Sequence, residues 1–202
     1  MIPILVVGIA YLLGAIPFGY VLVKAKTGAD VRKSGSGNIG ATNVFRTTGR
    51  GIGILTLLLD IAKGYLAVWI AARLTGGNSF WMSMSALAVM AGHAYPVFLK
   101  FKGGKAVASF VGAFLCLTPF ALLSVLVVFV ASVAWTRYIS AGSVIGAATF
   151  PLAVWLIEKP PLAVFAASLI AGAFIIYRHA PNIRRLRAGS EHVFTLGARK
   201  HV

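Results

Sequence analysis

Residues 33–50 read KSGSGNIGATNVFRTTGR, a run of small and hydroxyl-bearing residues punctuated by glycine. Gly35-Ser36-Gly37-Asn38-Ile39-Gly40 matches the G-x-G-x-x-G dinucleotide fingerprint in form, and Asp60 follows twenty residues after the last glycine. That fingerprint requires a strand before the glycines and a helix after them. Here long apolar segments lie on both sides and Asp60 falls inside one of them, which argues against a nucleotide. The underlying physics survives the change of context. Small residues from Ser34 through Gly35, Ser36 and Gly37 let the backbone approach a phosphate, and successive N–H groups can form an anion nest. Ser34, Ser36, Asn38, Thr42 and Asn43 add neutral donors around Gly40, and Arg46 adds a guanidinium fork suited to phosphate oxygens. A solvated glycine-serine loop is the alternative.

Two further stretches have the same character. Residues 92–105, GHAYPVFLKFKGGK, end in a glycine pair followed by Lys105, which could offer backbone N–H groups and an ammonium to a second phosphate. Residues 178–191, RHAPNIRRLRAGSE, place His179 and Asn182 three apart, on one side of a helix, beside three arginines. Each stretch read alone also fits contact with anionic lipid headgroups. Asp60 and Lys63 are spaced for a local ion pair, read here as structural.

The elements that must position these residues are membrane spans. Of 202 residues, 59% are hydrophobic and only 11% charged, under half the ~25% of soluble domains. The net charge of +15 would suggest nucleic acid in a soluble protein, but the bases lie between apolar runs, the pattern of membrane topology. Cys116, the single cysteine, lies in an apolar run. The N-terminus lacks a basic region before its apolar core and reads as a retained span.

Seven apolar segments can be drawn, at 2–23, 51–74, 79–99, 104–117, 119–136, 139–157 and 161–178, with Thr118-Pro119 dividing the fourth from the fifth. With the N-terminus outside, the inner segments hold sixteen of the nineteen Lys and Arg residues. Fusing the fourth and fifth segments would move Arg137 and the basic tail to the outer side, against the positive-inside bias. The expectation is therefore an all-α polytopic membrane protein of seven transmembrane helices with cytoplasmic motif loops. It forms a single domain over 1–202 with a flexible tail at 195–202. All three donor-rich stretches then emerge on one face, where a substrate could keep an acyl tail in lipid.

In this order and spacing, SGSGNIGATNVFRTTG, GHAYPVFLKFKGGK and HAPNIRRLRAGSE resemble the bacterial acyl-phosphate:glycerol-3-phosphate acyltransferase family, over essentially the whole chain. The resemblance implies a multi-pass enzyme of the bacterial inner membrane, with its C-terminus and active site cytoplasmic. Its reaction would move an acyl group from acyl phosphate to the 1-hydroxyl of glycerol 3-phosphate, giving lysophosphatidic acid and phosphate. No metal, cofactor or nucleic-acid partner is expected; the expected partners are the two substrates and membrane lipid. A transporter or binding protein for organic phosphate is the rival, although no internal repeat is evident.

Under that resemblance, loop 34–43, Arg46 and Lys105 would hold the donor phosphate. His179 and Asn182, with Ser140 or Ser143, would orient glycerol 3-phosphate, and Glu191 belongs to the same third motif. His179 is the candidate general base, with a substrate phosphate oxygen as the alternative. Other acyltransferases use a His and an Asp separated by four residues. Here the residues five on from His93, His179 and His192 are Phe98, Arg184 and Gly197, so no such dyad exists. Two departures stand out: Ala106 follows Lys105 where the family usually has glycine, and only His192 follows Glu191 where a base is usual.

Overall fold

The structure, a computed structural model, describes residues 1–194; the expected flexible tail at 195–202 lies outside them. Every regular element among the described residues is helical. The helices are α1 (Ile2–Ala15), α2 (Phe18–Thr27), α3 (Ala41–Thr48), α4 (Arg50–Leu74) and α5 (Ser79–Ala94), then α6 (Val107–Leu117), α7 (Pro119–Thr136), α8 (Ile139–Ala153), α9 (Leu162–Arg178) and α10 (Ala180–Arg187). They group into two compact units, Met1–Leu117 and Thr118–Val202.

Five helical stretches of the described chain are long and apolar enough to cross a membrane: Ile2–Thr27, Arg50–Leu74, Ser79–Leu99, Pro119–Thr136 and Ile139–Glu158. The bent pair α9 and α10, at 54°, is long and apolar enough for a sixth only when counted as one broken span. Val107–Leu117 has eleven residues, about 17 Å of helix against a core of about 30 Å, and fails by length. It is short because residues 103–106 are spent on a turn before the helix begins. The all-helical membrane class is as expected, whereas length supports five or six spans instead of seven.

In the first unit, glycines let the helices touch. Gly14 and Gly92 bring α1 and α5 together against the carbonyls of Val89 and Tyr11, while Gly64 and Gly112 do the same for α4 and α6 against Ser109 and Ile61. Association without a hydrophobic driving force relies on such close packing. Proline punctuates the ends. The first span breaks at Ile16-Pro17, and α5 stops at Ala94, just before Pro96.

In the second unit, α7 starts with Pro119 at its first position, where the missing N–H costs nothing. The expected break at Thr118-Pro119 is present. The next donors, Phe120 N and Ala121 N, both reach Glu158 Oε1, at 2.9 and 3.2 Å. Glu158 ends the π-helical turn Val154–Glu158 that follows α8, so it caps α7 from the far end of a neighbouring helix. Glu158→Ala should lower stability by about 0.5–2 kcal/mol. A lower thermal midpoint in detergent with unchanged KM values would show it, and Glu158→Gln, which keeps an acceptor, should lose less.

Candidate active site

The first polar cluster is built around one amide. Asn43, on the first turn of α3 and only 2% exposed, accepts Ser36 N through Oδ1 (2.9 Å). Its Nδ2 donates to Asn38 O (2.8 Å), Ser34 O (3.1 Å) and Val31 O (3.4 Å). Asn43 is therefore a clip that folds the loop, and its donors are spent on loop carbonyls. Asn38 adds a second clip, accepting Gly40 N through Oδ1 at 2.7 Å. Gly35 and Gly37 have φ of +58° and +70°, which only glycine adopts cheaply, and a Cβ on Gly35 would collide with Asn43 Oδ1.

With the loop held this way, Ser34, Ser36, Thr42 and Arg46 remain on the surface. Gly40 caps α3 without a side chain, so no side-chain acceptor covers the N–H groups of its first turn. Such a helix start is a ready anion site. Upstream, Asp30 accepts Arg32 N and pairs with the Arg32 guanidinium at 2.6 Å. The Arg32 hydrogen bonds hold the Asp30 carboxyl down, at about 2.

The second motif shares a core with the first. Val31, Ile39 and Val44 from the loop and α3 pack with Val23 of α2 and with Leu99. Past Leu99 the chain turns sharply, with Lys100 and Phe101 both left-handed, and then runs through Gly103, Gly104 and the half-buried Lys105. Ala106 has φ of +62° and is 1% exposed. That conformation accounts for the glycine usual at this position and shows that the alanine methyl is buried inside the turn.

The second unit carries the other cluster. His179 sits at the elbow, as C-cap of α9 and N-cap of α10. Its Nδ1 lies 2.8 Å from Ile175 O. A carbonyl can only accept, so Nδ1 carries the hydrogen, and in the neutral ring Nε2 is the basic nitrogen.

Glu191 is the hub. Its Oε1 accepts from Asn182 Nδ2 (2.7 Å) and Ser140 Oγ (3.0 Å), and its Oε2 accepts from Arg185 Nε (2.7 Å). Phe194 N, bonded to Arg137 O at 2.7 Å, ties the chain after Glu191 to the turn before α8. Because Nδ2 of Asn182 is committed to Glu191, its buried Oδ1 is left as an acceptor with no protein donor. Ser143, one turn along α8 from Ser140, donates back to Ile139 O (2.9 Å).

Burial opposes the charge on Glu191, but the bonds from Asn182, Arg185 and Ser140 prevail and hold its carboxyl below the ordinary value of 4.5. Its contribution to stability is therefore complete above about pH 4.5 and is lost as pH falls through the lower folded value. Thermal midpoints recorded on going from about pH 6 to about pH 3 should fall more steeply in the wild type than in Glu191→Gln. A Gln variant with the same slope would remove Glu191 as the source.

Every expected site residue is among the described residues. Ser34, Ser36, Asn38 and Asn43 come together in one unit, and Ser140, Asn182 and Glu191 in the other. Arg185 was not anticipated. A base six residues before Glu191 was visible, but its pairing was not.

Helices this apolar, with buried polar clusters at a helix start and at an elbow, define an integral membrane protein. The chain belongs to the glycerol-3-phosphate acyltransferase family, whose model matches residues 4–189. It is 48% identical to the glycerol-3-phosphate acyltransferase of Geotalea daltonii, over 95% of this chain and 96% of that one. With the Aquifex aeolicus enzyme of the same name, identity is 42% over 92% and 95% of the two chains. The fold is similar to crystal structures of PlsY (YgiH), an integral membrane glycerol 3-phosphate acyltransferase. Its glycerol 3-phosphate form gives a TM-score of 0.91 at 40% identity, covering 96% of each chain. Its lysophosphatidic acid form gives 0.88 at 39% identity, covering 96% and 95%. The chain is thus an acyltransferase acting on glycerol 3-phosphate in phospholipid synthesis.

Proposed function

We propose that the acyl donor is an acyl phosphate, and that the enzyme works at the cytoplasmic face of the bacterial inner membrane. The observation that carries this reading is the presence of two polar clusters suited to phosphate. To the loop 34–43 and the start of α3 we assign Arg46 and Lys105; the other is the His179, Asn182 and Arg185 cluster. Two phosphate-bearing substrates would need two such sites. The first takes the donor phosphate, and the second orients glycerol 3-phosphate, with Ser140 held by Glu191 and Ser143 alongside.

In the reaction the 1-hydroxyl oxygen attacks the acyl carbonyl and the carbonyl carbon's bond to the phosphate oxygen breaks. Phosphate leaves with its negative charge, stabilised by the loop N–H groups and the bases. Because a mixed anhydride has a good leaving group, no strong acid is required. The hydroxyl proton passes to Nε2 of His179, which Ile175 O holds in the basic tautomer. Asn182 Oδ1, lacking a protein donor, accepts a hydrogen bond from a substrate hydroxyl.

The test is detergent-purified enzyme with acyl phosphate and glycerol 3-phosphate, following phosphate release. Release that requires both substrates is expected. Transfer from an acyl thioester with none from acyl phosphate would overturn the donor assignment. Labelling of Ser36→Cys by an impermeant thiol reagent only from the cytoplasmic side would fix the orientation, and labelling only from outside would reverse it.

A further inference from the structure

Among the described residues, one buried polar group shares no hydrogen bond with either cluster. Asp60 and Lys63 sit one turn apart on α4, paired at 2.8 Å with side chains 3% exposed each. A pair meant only to neutralise itself would end there. Instead each member reaches another element. Lys63 Nζ donates to Ile16 O (2.8 Å), a carbonyl at the break between α1 and α2. Asp60 Oδ1 lies 3.5 Å from Nδ1 of His93, on the last turn of α5 and 4% exposed. The three residues thus join the first-span break, α4 and the end of α5.

His93 then passes the connection to the second motif. Its carbonyl accepts Gly104 N (3.0 Å), and that of Ala94 accepts Gly103 N (3.2 Å). The imidazole presses its Nε2 edge against the same turn: a Cβ on Gly104 would collide with His93 Nε2, and one on Gly103 with His93 O. The turn is therefore fastened to His93 by main chain and by ring, and Lys105 is the next residue.

We propose that Asp60, Lys63 and His93 form a positioning network that sets the Gly103-Gly104-Lys105 turn for the donor phosphate. This rests on reading that turn as part of the donor site. Burying charge at membrane depth is costly, and an apolar substitute of similar volume would hold helices together at least as well. What apolar packing cannot do is fix one ring orientation against a backbone turn. A displacement of about 1 Å at a binding group is enough to cost about a hundredfold.

The experiment uses full-length enzyme in detergent. A long-chain acyl phosphate is varied at saturating glycerol 3-phosphate and the reverse, with thermal midpoints alongside. His93→Ala and Asp60→Asn should raise KM for acyl phosphate about tenfold or more while KM for glycerol 3-phosphate stays as in the wild type. His93→Asn, which restores a donor near Asp60, should recover part of the loss. The pair Asp60→Asn with Lys63→Met leaves no unpaired charge and should fold even if single variants do not; the raised acyl-phosphate KM should persist in it. Variants that lower only the folded fraction and the midpoint, with both KM values unchanged, would overturn the proposal. Lys105→Ala is the comparator. An unchanged acyl-phosphate KM there would sink the donor reading itself. A raised one there, with none in the network variants, would sink only the network.

Discussion

Replacing His179 by alanine should lower kcat by about 10²–10⁴-fold, the usual contribution of a positioned base. The size follows from how the ring is held. Ile175 O, at 2.8 Å, forces the hydrogen onto Nδ1, so the neutral ring is a base at Nε2. The fold should survive, because the hydrogen bond lost is worth about 1 kcal/mol. His179→Asn separates positioning from proton transfer, since its amide can still donate toward Ile175 O but cannot take a proton. If the base reading holds, His179→Asn is nearly as slow as His179→Ala; Asn activity within tenfold of wild type would exclude it. The pH profile adds a second discriminator. An acid limb due to the imidazole disappears when the ring is removed, whereas one due to a substrate phosphate monoester remains. A limb that survives in His179→Asn belongs to substrate phosphate.

The elements of the fold were legible where the signal is local. Apolar run length marks most of the spans, and Pro119 marks the start of α7 because its missing N–H costs nothing there. The Asp60 and Lys63 pair was legible from its three-residue spacing. Partners distant in sequence were not. His93 is an ordinary residue at the end of an apolar segment until α4 and α5 pack, and nothing near Pro119 announces that Glu158 will cap α7.

The site shows the same division. Motif chemistry picks out residue types able to bind phosphate, but composition cannot say whether a donor faces a ligand or its own loop. Ser34, Ser36 and Thr42 remain on the surface, as expected of phosphate donors, whereas Asn43 turned inward. Glu191 likewise reads as one more polar site residue, yet a carboxylate makes a poor phosphate ligand. Its three bonds show it arranging Ser140, Asn182 and Arg185 instead.

The inward turn of Asn43 leads to the second large effect. Asn43→Asp replaces the Nδ2 donor by an oxygen facing the carbonyls of Val31, Ser34 and Asn38. Three attractions become three repulsions at a position 2% exposed, leaving an uncompensated charge of the kind that costs about 3–5 kcal/mol. Opening of the loop relieves them, and it takes the proposed donor site with it. We therefore expect kcat/KM for acyl phosphate to fall by about 10²–10³-fold, each decade being about 1.4 kcal/mol. Asn43→Ala removes the same bonds but leaves room for water, and should lose less. A direct phosphate ligand would give the same ranking in activity, so the deciding measurement is made without substrate. Hydrogen exchange at the Ser36 amide, which is bonded to Asn43 Oδ1, should accelerate in substrate-free Asn43→Ala, which lacks that acceptor, and in Asn43→Asp, where the loop opens. Exchange as slow as in the wild type would mean that the loop folds without Asn43, and the loss of activity would then have to come from contact with the ligand.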